Sequence, residues 1–467
     1  MSQTHDAIVI GSGQAGPALA VRLAEAGRTV ALIERKHFGG TCVNNGCIPT
    51  KTLVASARAA HVARRGADYG VQIGGDITVD MKAVKARKDR VVAHSIEGLT
   101  KWLRMHKGVE TVLGHARFVG PHAVQVDGRR LEAPQIFINV GGRASLPDWP
   151  GLDSVPVLTN SSMMAIDFLP PHLIVVGGSY IGLEFAQMYR RFGSEVTVLE
   201  YADRLIARED EEVSAEVRNI LEREGVRFHL GVRDARVERD GSGVRIALKA
   251  GGADQLVAGS HLLVAAGRRP NTDDLGLDKA GIATDPRGFI TVDDALQTNV
   301  PGVWALGDVN ARGAFTHTSW NDYEIVAANL LDGEQRRVSD RIPVYALFTD
   351  PPLGRVGQTE AEVRASGRDA LIGRMPMTRV GRARERSEMQ GFMKVLVDAK
   401  TEKILGAALL CIEGDEIVHS LIDAMAAGAT YRTIQRTVHI HPTVSELIPT
   451  MLGLLKPLKE QREKAEA

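Results

Sequence analysis

The sequence predicts an α/β protein that uses one βαβ unit twice and ends in an α+β unit. Three observations predict it. A glycine-punctuated segment recurs after 166 residues, a glutamate follows each copy at the same remove, and paired strands followed by helices appear after Pro343.

The run from Asp6 to Gly16 (DAIVIGSGQAG) falls on the run from His172 to Gly182 (HLIVVGGSYIG). The register then holds, with Gly27 on Gly193, Val30 on Val196, Leu32 on Val198 and Glu34 on Glu200. Each copy reads as buried strand, glycine turn, amphipathic helix, second strand and acidic residue, the pattern of a dinucleotide-binding βαβ unit. Gly11 allows the tight turn, Gly13 lets the backbone approach a pyrophosphate, and Gly16 permits close helix–sheet packing. Gly177 and Gly182 repeat the outer two roles, and Ser179 replaces the middle glycine. The helix N-terminus offers unpaired N–H groups and a positive dipole end to phosphates. Glu34 and Glu200 are placed to accept ribose hydroxyls. A carboxylate at Glu200 repels a 2′-phosphate, so the second site is expected to take NADH. Arg204 and Arg208 nearby keep NADPH as the alternative. The first site is expected to hold the flavin, because Cys42 follows Glu34 closely. Two nucleotide sites on one chain suggest an electron relay.

Cys42 and Cys47 are two of only three cysteines in 467 residues. A disulfide needs Cα atoms within roughly 4.4–6.8 Å, whereas i and i+5 of a regular helix lie about 8–9 Å apart. The intervening chain must therefore bend, and Asn44-Asn45-Gly46 tolerates a bend. The spacing also differs from the Cys-x-x-Cys of thioredoxin-like and zinc sites. A redox-active pair is the better reading than two unrelated thiols. Cys411, inside an apolar strand, reads as a buried structural thiol.

The length suits about three domains, and 44% hydrophobic with 24% charged residues fits a globular enzyme. Lys+Arg and Asp+Glu both total 57, so no global field recruits nucleic acid or anionic lipid. The basic stretch Lys82, Lys85, Arg87, Lys88, Arg90 reads as a solvated helix face. The N-terminal apolar stretch lacks a basic n-region and carries the glycine turn, so it reads as a strand and not a signal peptide. No apolar run of about 18 residues predicts a membrane span. Sparse cysteines point to a reducing compartment, and the cytoplasm is expected.

Further strands are expected over 262–266 before Gly267-Arg268-Arg269, and over 303–306 before Gly307-Asp308. A strand pair is expected over 391–398 and 404–411, helices over 416–427 and 444–455, and a charged, frayed tail over 456–467. The expected division is 1–150 with the disulfide, 151–270 for the second nucleotide, 271–341 completing the first domain, and 342–467.

With Gly39-Gly40-Thr41-Cys42 and Cys47-Ile48-Pro49-Thr50-Lys51 in place, the chain resembles the class I flavoprotein disulfide reductases. These include dihydrolipoamide dehydrogenase, glutathione reductase and mercuric reductase. Tyr180-Ile181-Gly182-Leu183-Glu184, Ala266-Gly267-Arg268, Gly307-Asp308 and His441-Pro442-Thr443-x-x-Glu446 extend the resemblance over nearly the whole chain. It implies FAD, NAD(P), two Rossmann-like domains and a C-terminal α+β dimerisation domain in a homodimer, with no resident metal. It also implies roles. Cys47 is the flavin-side thiolate, Cys42 the interchange thiol, and Lys51 with Glu184 an ion pair beside the flavin. Tyr180 covers the nicotinamide pocket, and Asp308 and Thr41 belong to the FAD site. His441, oriented by Glu446, is the acid–base for the partner subunit's Cys42.

The segment from Phe315 to Val326, with Pro351-Pro352-Leu353-Gly354-Arg355 and Arg382-Ala383-Arg384, is most similar to the bacterial reactive-chlorine-resistance branch, which reduces Cu(II) and is mercuric-reductase-like. The acceptor is then a small disulfide or a soft metal ion such as Cu(II) or Hg(II). A dihydrolipoamide dehydrogenase is the alternative, and a flavin-based redox sensor with little turnover the alternative of another class. His317, Trp320 and Tyr323 read equally as a substrate-side cluster or as ordinary interface-helix packing. Arg382, Arg384 and Arg386 read as an exposed strand edge rather than an anion site, and His439 as a bland surface histidine.

Overall fold

A computed structural model describes residues 2–459. The two predicted βαβ units form the centres of two five-stranded parallel sheets. In the first, the strands run in the order Val303–Ala305, Gln135–Ile138, Ala7–Ile10, Val30–Glu34, Val109–Leu113. In the second, the order is Val157–Leu158, His261–Val264, His172–Val176, Glu195–Leu199, Val226–His229. The central strands are apolar on both faces because helices and neighbouring sheets cover both faces, as parallel sheets require. Ala7, Ile8 and Val9 are fully buried, as are Leu173, Ile174 and Val175. The helices Ala15–Glu25 and Tyr180–Phe192 make the crossovers.

A three-stranded antiparallel meander, Arg233–Asp240, Gly243–Ala250 and Ala253–Gly259, lies against the second sheet. Its middle strand alternates buried and exposed residues, the period-2 signature of a sheet with one wet face. After Pro343 comes a six-stranded sheet, ordered Val344–Leu347, Leu353–Gly357, Ile404–Leu410, Phe392–Asp398, Ala370–Pro376, Lys456–Pro457. Cys411 is fully buried beside this sheet, and burial pushes its thiol up.

Several local expectations change. The tail begins as an edge strand, since Lys456 pairs with Ile372 and Leu458 is buried; residues 460–467 of that expectation lie outside the described residues. The helix over 416–427 is two helices, Gly414–Ile417 and His419–Ala426. The helix over 444–455 shortens to Ile448–Leu452 after a 3-10 turn, with Pro449 in its first turn where its missing N–H is harmless. Arg382 and Arg384 lie on the helix Gly381–Glu385 and not on a strand edge, because Val380 and Ala383, three apart, both bury completely. The basic stretch on helix Met81–Met105 is only partly solvated. Lys88 is buried and donates to Met164 O at 2.8 Å, and Arg87 donates to Thr52 O at 2.8 Å.

Candidate active site

Both glycine turns are built alike. The Gly11 N–H donates to Ile33 O at 2.8 Å, and the Gly177 N–H to Leu199 O at 2.8 Å. Both glycines have positive φ, +101° and +115°. A Cβ on Gly16 would stand 2.2 Å from Gly11 O, and one on Gly182 would stand 1.9 Å from Gly177 O. Glu34 accepts from the Ser12 N–H at 3.0 Å, the Ser12 hydroxyl at 2.6 Å and the Lys36 N–H at 2.8 Å. Glu200 accepts from the Gly178 N–H and from the Ala202 N–H at 2.7 Å, the equivalent positions of the repeat. Each carboxylate is thus aimed by the backbone and keeps lone pairs for a further donor.

The chain bends between the cysteines as their spacing requires. Helix Gly40–Asn44 ends, Asn45 and Gly46 leave helical geometry, and helix Cys47–Arg64 begins at Cys47. Both cysteines are thiols here. A hydrogen bond from Cys42 brings Cys47 down to about 6 against the effect of burial, helped by Thr316 and the Lys51 ammonium. The same bond, burial and the Cys47 charge push Cys42 up. Cys47 Sγ lies 3.0 Å from Thr316 Oγ1. Its place at the first position of a long helix also favours a thiolate.

Cys42 and Cys47 line a cavity of about 790 Å3 together with Gly13, Thr41, Lys51, Tyr180, Glu184 and Asp308. It adjoins a second of about 370 Å3 lined by Gly11, Gly13, Glu34 and Thr41; Gly13, Thr41, Asn139 and Arg268 border both. The Lys51 ammonium donates to Glu184 Oε2 at 2.8 Å and sits 4.2 Å from the Phe348 ring centroid. Glu184, itself buried, also accepts from the Phe348 N–H at 3.1 Å. Burial pushes the Asp308 carboxyl up, while Arg268, 3.4 Å away, opposes this. Burial pushes the Tyr180 hydroxyl up to about 12. Gly267 follows the strand His261–Val264 with φ +132°. His317 and Trp320 face the larger cavity, whereas Tyr323 packs edge-on against Trp320 at 5.1 Å.

His441 is not brought to the cysteines within one chain. Its side chain is 81% exposed, and Nδ1 stands 2.7 Å from Glu446 Oε2. Val438 and Ile440 beside it are 94% and 79% exposed, an apolar segment with nothing of its own chain over it. Arg382 donates to Pro442 O at 2.7 Å and so holds this segment from below. His439 is exposed, with Nδ1 3.0 Å from Thr437 O.

Sequence reasoning missed residues that act at long range. Asn139 Oδ1 accepts from the Gly16 N–H at 3.1 Å, and its amide donates to Leu306 O at 2.9 Å. Buried Asp322 accepts from the Gly307 N–H at 2.7 Å and from Asn310 at 3.0 Å, fixing the turn that carries Asp308. Asn139 follows the strand paired with Ala7–Ile10, a neighbour met only after folding. A cluster of Asp210, Glu212 and Glu360 has the spacing of metal ligands, but the Lys394 ammonium fills it at 2.6, 2.6 and 3.2 Å.

The cavities fit an FAD. A cradle that a Cβ at Gly13 would narrow, with Asn139 Oδ1 only 2.9 Å away, leads past Glu34 at one end to Lys51 and Cys47 at the other. A family model described as pyridine nucleotide-disulphide oxidoreductase matches residues 5–323, and the dimerisation domain of that family matches residues 344–452. A probable pyridine nucleotide-disulfide oxidoreductase, RclA, of Escherichia coli (strain K12) is 36% identical over 460 residues, spanning 97% of this chain and 99% of its own. The mercuric reductase of Streptomyces lividans is 35% identical over 457 residues, 96% of each chain. The solved Cu(II) complex of the HOCl-induced flavoprotein disulfide reductase RclA from Escherichia coli superposes with a TM-score of 0.88 at 35% identity, covering 97% of this chain and 100% of that one. The family implies FAD, a pyridine nucleotide and a homodimer, and among the described residues no helix is long and apolar enough to cross a membrane. The chain belongs to the pyridine nucleotide-disulphide oxidoreductases.

Proposed function

We propose that the protein passes electrons from NADH, through FAD, to the Cys42–Cys47 pair and on to a soft metal ion of the Cu(II) type. The observation that carries this is the convergence of both cysteines, Lys51, Glu184, Tyr180 and Asp308 on one cavity adjoining the first glycine turn. The reading rests also on the Cu(II) named for the RclA structure.

FAD, when bound, supplies the link between a hydride donor and a disulfide. The chain's own groups do the remainder. Gly11, Gly13, Gly16 and Glu34 bind the FAD pyrophosphate and ribose, Thr41 and Asp308 line the rest of its site, and Gly267 with Arg268 edges it. Gly177, Gly182 and Glu200 bind the nicotinamide cofactor, with NADH preferred because Glu200 repels a 2′-phosphate. Tyr180 covers the nicotinamide end. Cys47 is the thiolate facing the flavin, stabilised by Thr316 and Lys51, whose ammonium is fixed by Glu184. Cys42 keeps its proton and becomes the attacking thiolate only when a base removes it. His441 is that base for the partner subunit's active site, with Glu446 fixing its tautomer. Residues 1–150 and 271–341 would then form the FAD domain, 151–270 the nicotinamide domain and 342–467 the interface domain, in the cytoplasm.

A disulfide acceptor of the lipoamide type, as in a dihydrolipoamide dehydrogenase, is the second reading, favoured by the His441–Glu446 pair at 2.7 Å, which proton transfer to a thiol needs. One steady-state panel separates the two. NADH and NADPH are each tested with Cu(II), Hg(II), lipoamide and glutathione disulfide, on the wild type and on His441→Ala. NADH-dependent turnover with Cu(II) that exceeds turnover with lipoamide supports the first reading. Turnover with lipoamide that falls roughly 10²–10⁴-fold in the variant supports the second. Failure of every acceptor sinks both.

A further inference from the structure

We propose that Tyr345, held by the buried carboxylate of Glu209, is a positioning residue for Tyr180 and so governs how firmly a nicotinamide is held in the cavity. This rests on the assignment of Tyr180 above.

Tyr345 and Arg355 are direct partners across the antiparallel strands Val344–Leu347 and Leu353–Gly357. Direct partners project to the same face, and both reach one residue, Glu209, which enters from the loop before helix Glu211–Arg223. The Tyr345 hydroxyl donates to Glu209 Oε1, and Arg355 Nε lies 3.3 Å from Oε2. The Glu209 side chain is 0% exposed and that of Arg355 1%. A buried ion pair of this kind adds little stability over apolar residues of similar volume. Its structural effect is to lock a tyrosine of the C-terminal sheet to the nicotinamide unit.

The locked ring belongs to an aromatic wall. Tyr345 stacks on Phe315 at 5.6 Å and 8°, and Phe315 stacks on His317 at 5.3 Å and 9°. Tyr180 stands edge-on to both Phe315 (6.0 Å, 85°) and Tyr345 (5.6 Å, 80°). All four side chains line the larger cavity. An edge-to-face contact depends on the position of the ring that receives the edge. The place where Tyr180 rests is therefore set in part by Tyr345, and the place of Tyr345 by Glu209.

The test is a double-mutant cycle on the FAD-loaded dimer. It is read by the dissociation constant of NAD⁺ in calorimetry and by the rate of FAD reduction on rapid mixing with NADH. Tyr345→Leu is expected to weaken NAD⁺ binding about two- to tenfold, the range an aromatic pair supplies. In a Tyr180→Ala background the same substitution is expected to change nothing further. Tyr345→Phe keeps the ring and loses the hydroxyl's bonds to Glu209 and to the Tyr180 hydroxyl, so it tests the lock if the leucine variant does not fold. Glu209→Gln leaves buried Arg355 without its counter-charge and is expected to lose stability. Its amide oxygen still accepts from the hydroxyl, so the folded dimer is expected to hold NAD⁺ within about twofold of wild type. Equal effects of Tyr345→Leu with and without Tyr180 would overturn the proposal while leaving Tyr180 in its role. A silent Tyr180→Ala would overturn that role itself, and this inference with it.

Discussion

The two glycine turns share strand, helix and carboxylate, yet they are not equally enclosed. Behind the first stands Asn139, whose side chain ties Gly16 to Leu306 and fills the space beside Gly13. Gly40 also presses on that turn, since a Cβ there would meet Gly13 Cα at 2.7 Å. At the matching place in the second unit, the residue after strand His261–Val264 is Ala265, and its backbone repeats only the main-chain bond, to Val176 O at 2.7 Å. Ser179, exposed with φ −112°, stands where the first turn needs Gly13. The same motif thus serves a closed cradle and an open one. A cradle with an added side-chain tie to its helix at Gly16 suits a cofactor that stays, and one without that tie suits a cofactor that leaves after each turnover.

The largest expected effects strike both copies but with different outcomes. Gly16→Ala and Gly182→Ala each drive a methyl into a carbonyl oxygen, at 2.2 and 1.9 Å, far inside van der Waals contact. On the proposed assignment Gly16→Ala is isolated without FAD and is colourless. Gly182→Ala keeps its yellow FAD and loses reduction by NADH. Absorbance of the purified proteins, followed by anaerobic NADH addition, reads both. If Gly182→Ala is the colourless one, the two sites are exchanged.

Asn139→Ala tests whether the closure comes from that side chain. The substitution leaves the Gly16 N–H with only Gly13 O, at 3.1 Å, as acceptor and removes the side-chain donor to Leu306 O. A buried group left unsatisfied costs about 1–3 kcal/mol. The variant is expected to release FAD at a lower denaturant concentration than wild type while its KM for NADH stays unchanged. A shift of KM with unaltered FAD retention would make the distinction between the two turns false.

How far the sequence carried this comparison depends on distance along the chain. The repeat was legible because each turn is a local pattern, and the structure extends its register to the hydrogen bonds of Glu34 and Glu200. Cys42, Cys47 and Lys51 were legible for the same reason. Asn139, Asp322 and Glu209 were not, because each holds a group met only after folding and a lone polar residue carries no period. The strand-edge reading of Arg382 and Arg384 failed because alternating charges in Gly-Arg-Ala-Arg-Glu imitate a two-residue period. What decides that segment is the burial of Val380 and Ala383 against the C-terminal core. His441 illustrates a further limit: its dyad with Glu446 is local, whereas the cysteine it is proposed to serve belongs to another subunit.

The smallest expected effect comes from exchanging the residues that differ in the middle of the two turns. Ser179 lies in extended backbone, is exposed, and makes no side-chain capping bond to helix Tyr180–Phe192. Glycine there relieves no strain and removes no partner, so Ser179→Gly is expected to lower stability by only a few tenths of a kcal/mol. Its KM for NADH should stay within about twofold of wild type, since a glycine cap replaces a serine at little loss. The reciprocal Gly13→Ser is not symmetrical. Its Cβ would lie 2.9 Å from Asn139 Oδ1, so it must push aside the side chain that closes the first turn. Weaker FAD retention in Gly13→Ser beside a near-silent Ser179→Gly is the expected pair of results, read by FAD release on dilution and by NADH kinetics. If Gly13→Ser weakens FAD retention no further in an Asn139→Ala background, the clash is the cause. If both exchanges prove equally mild, Asn139 does not confer the difference between the two cradles.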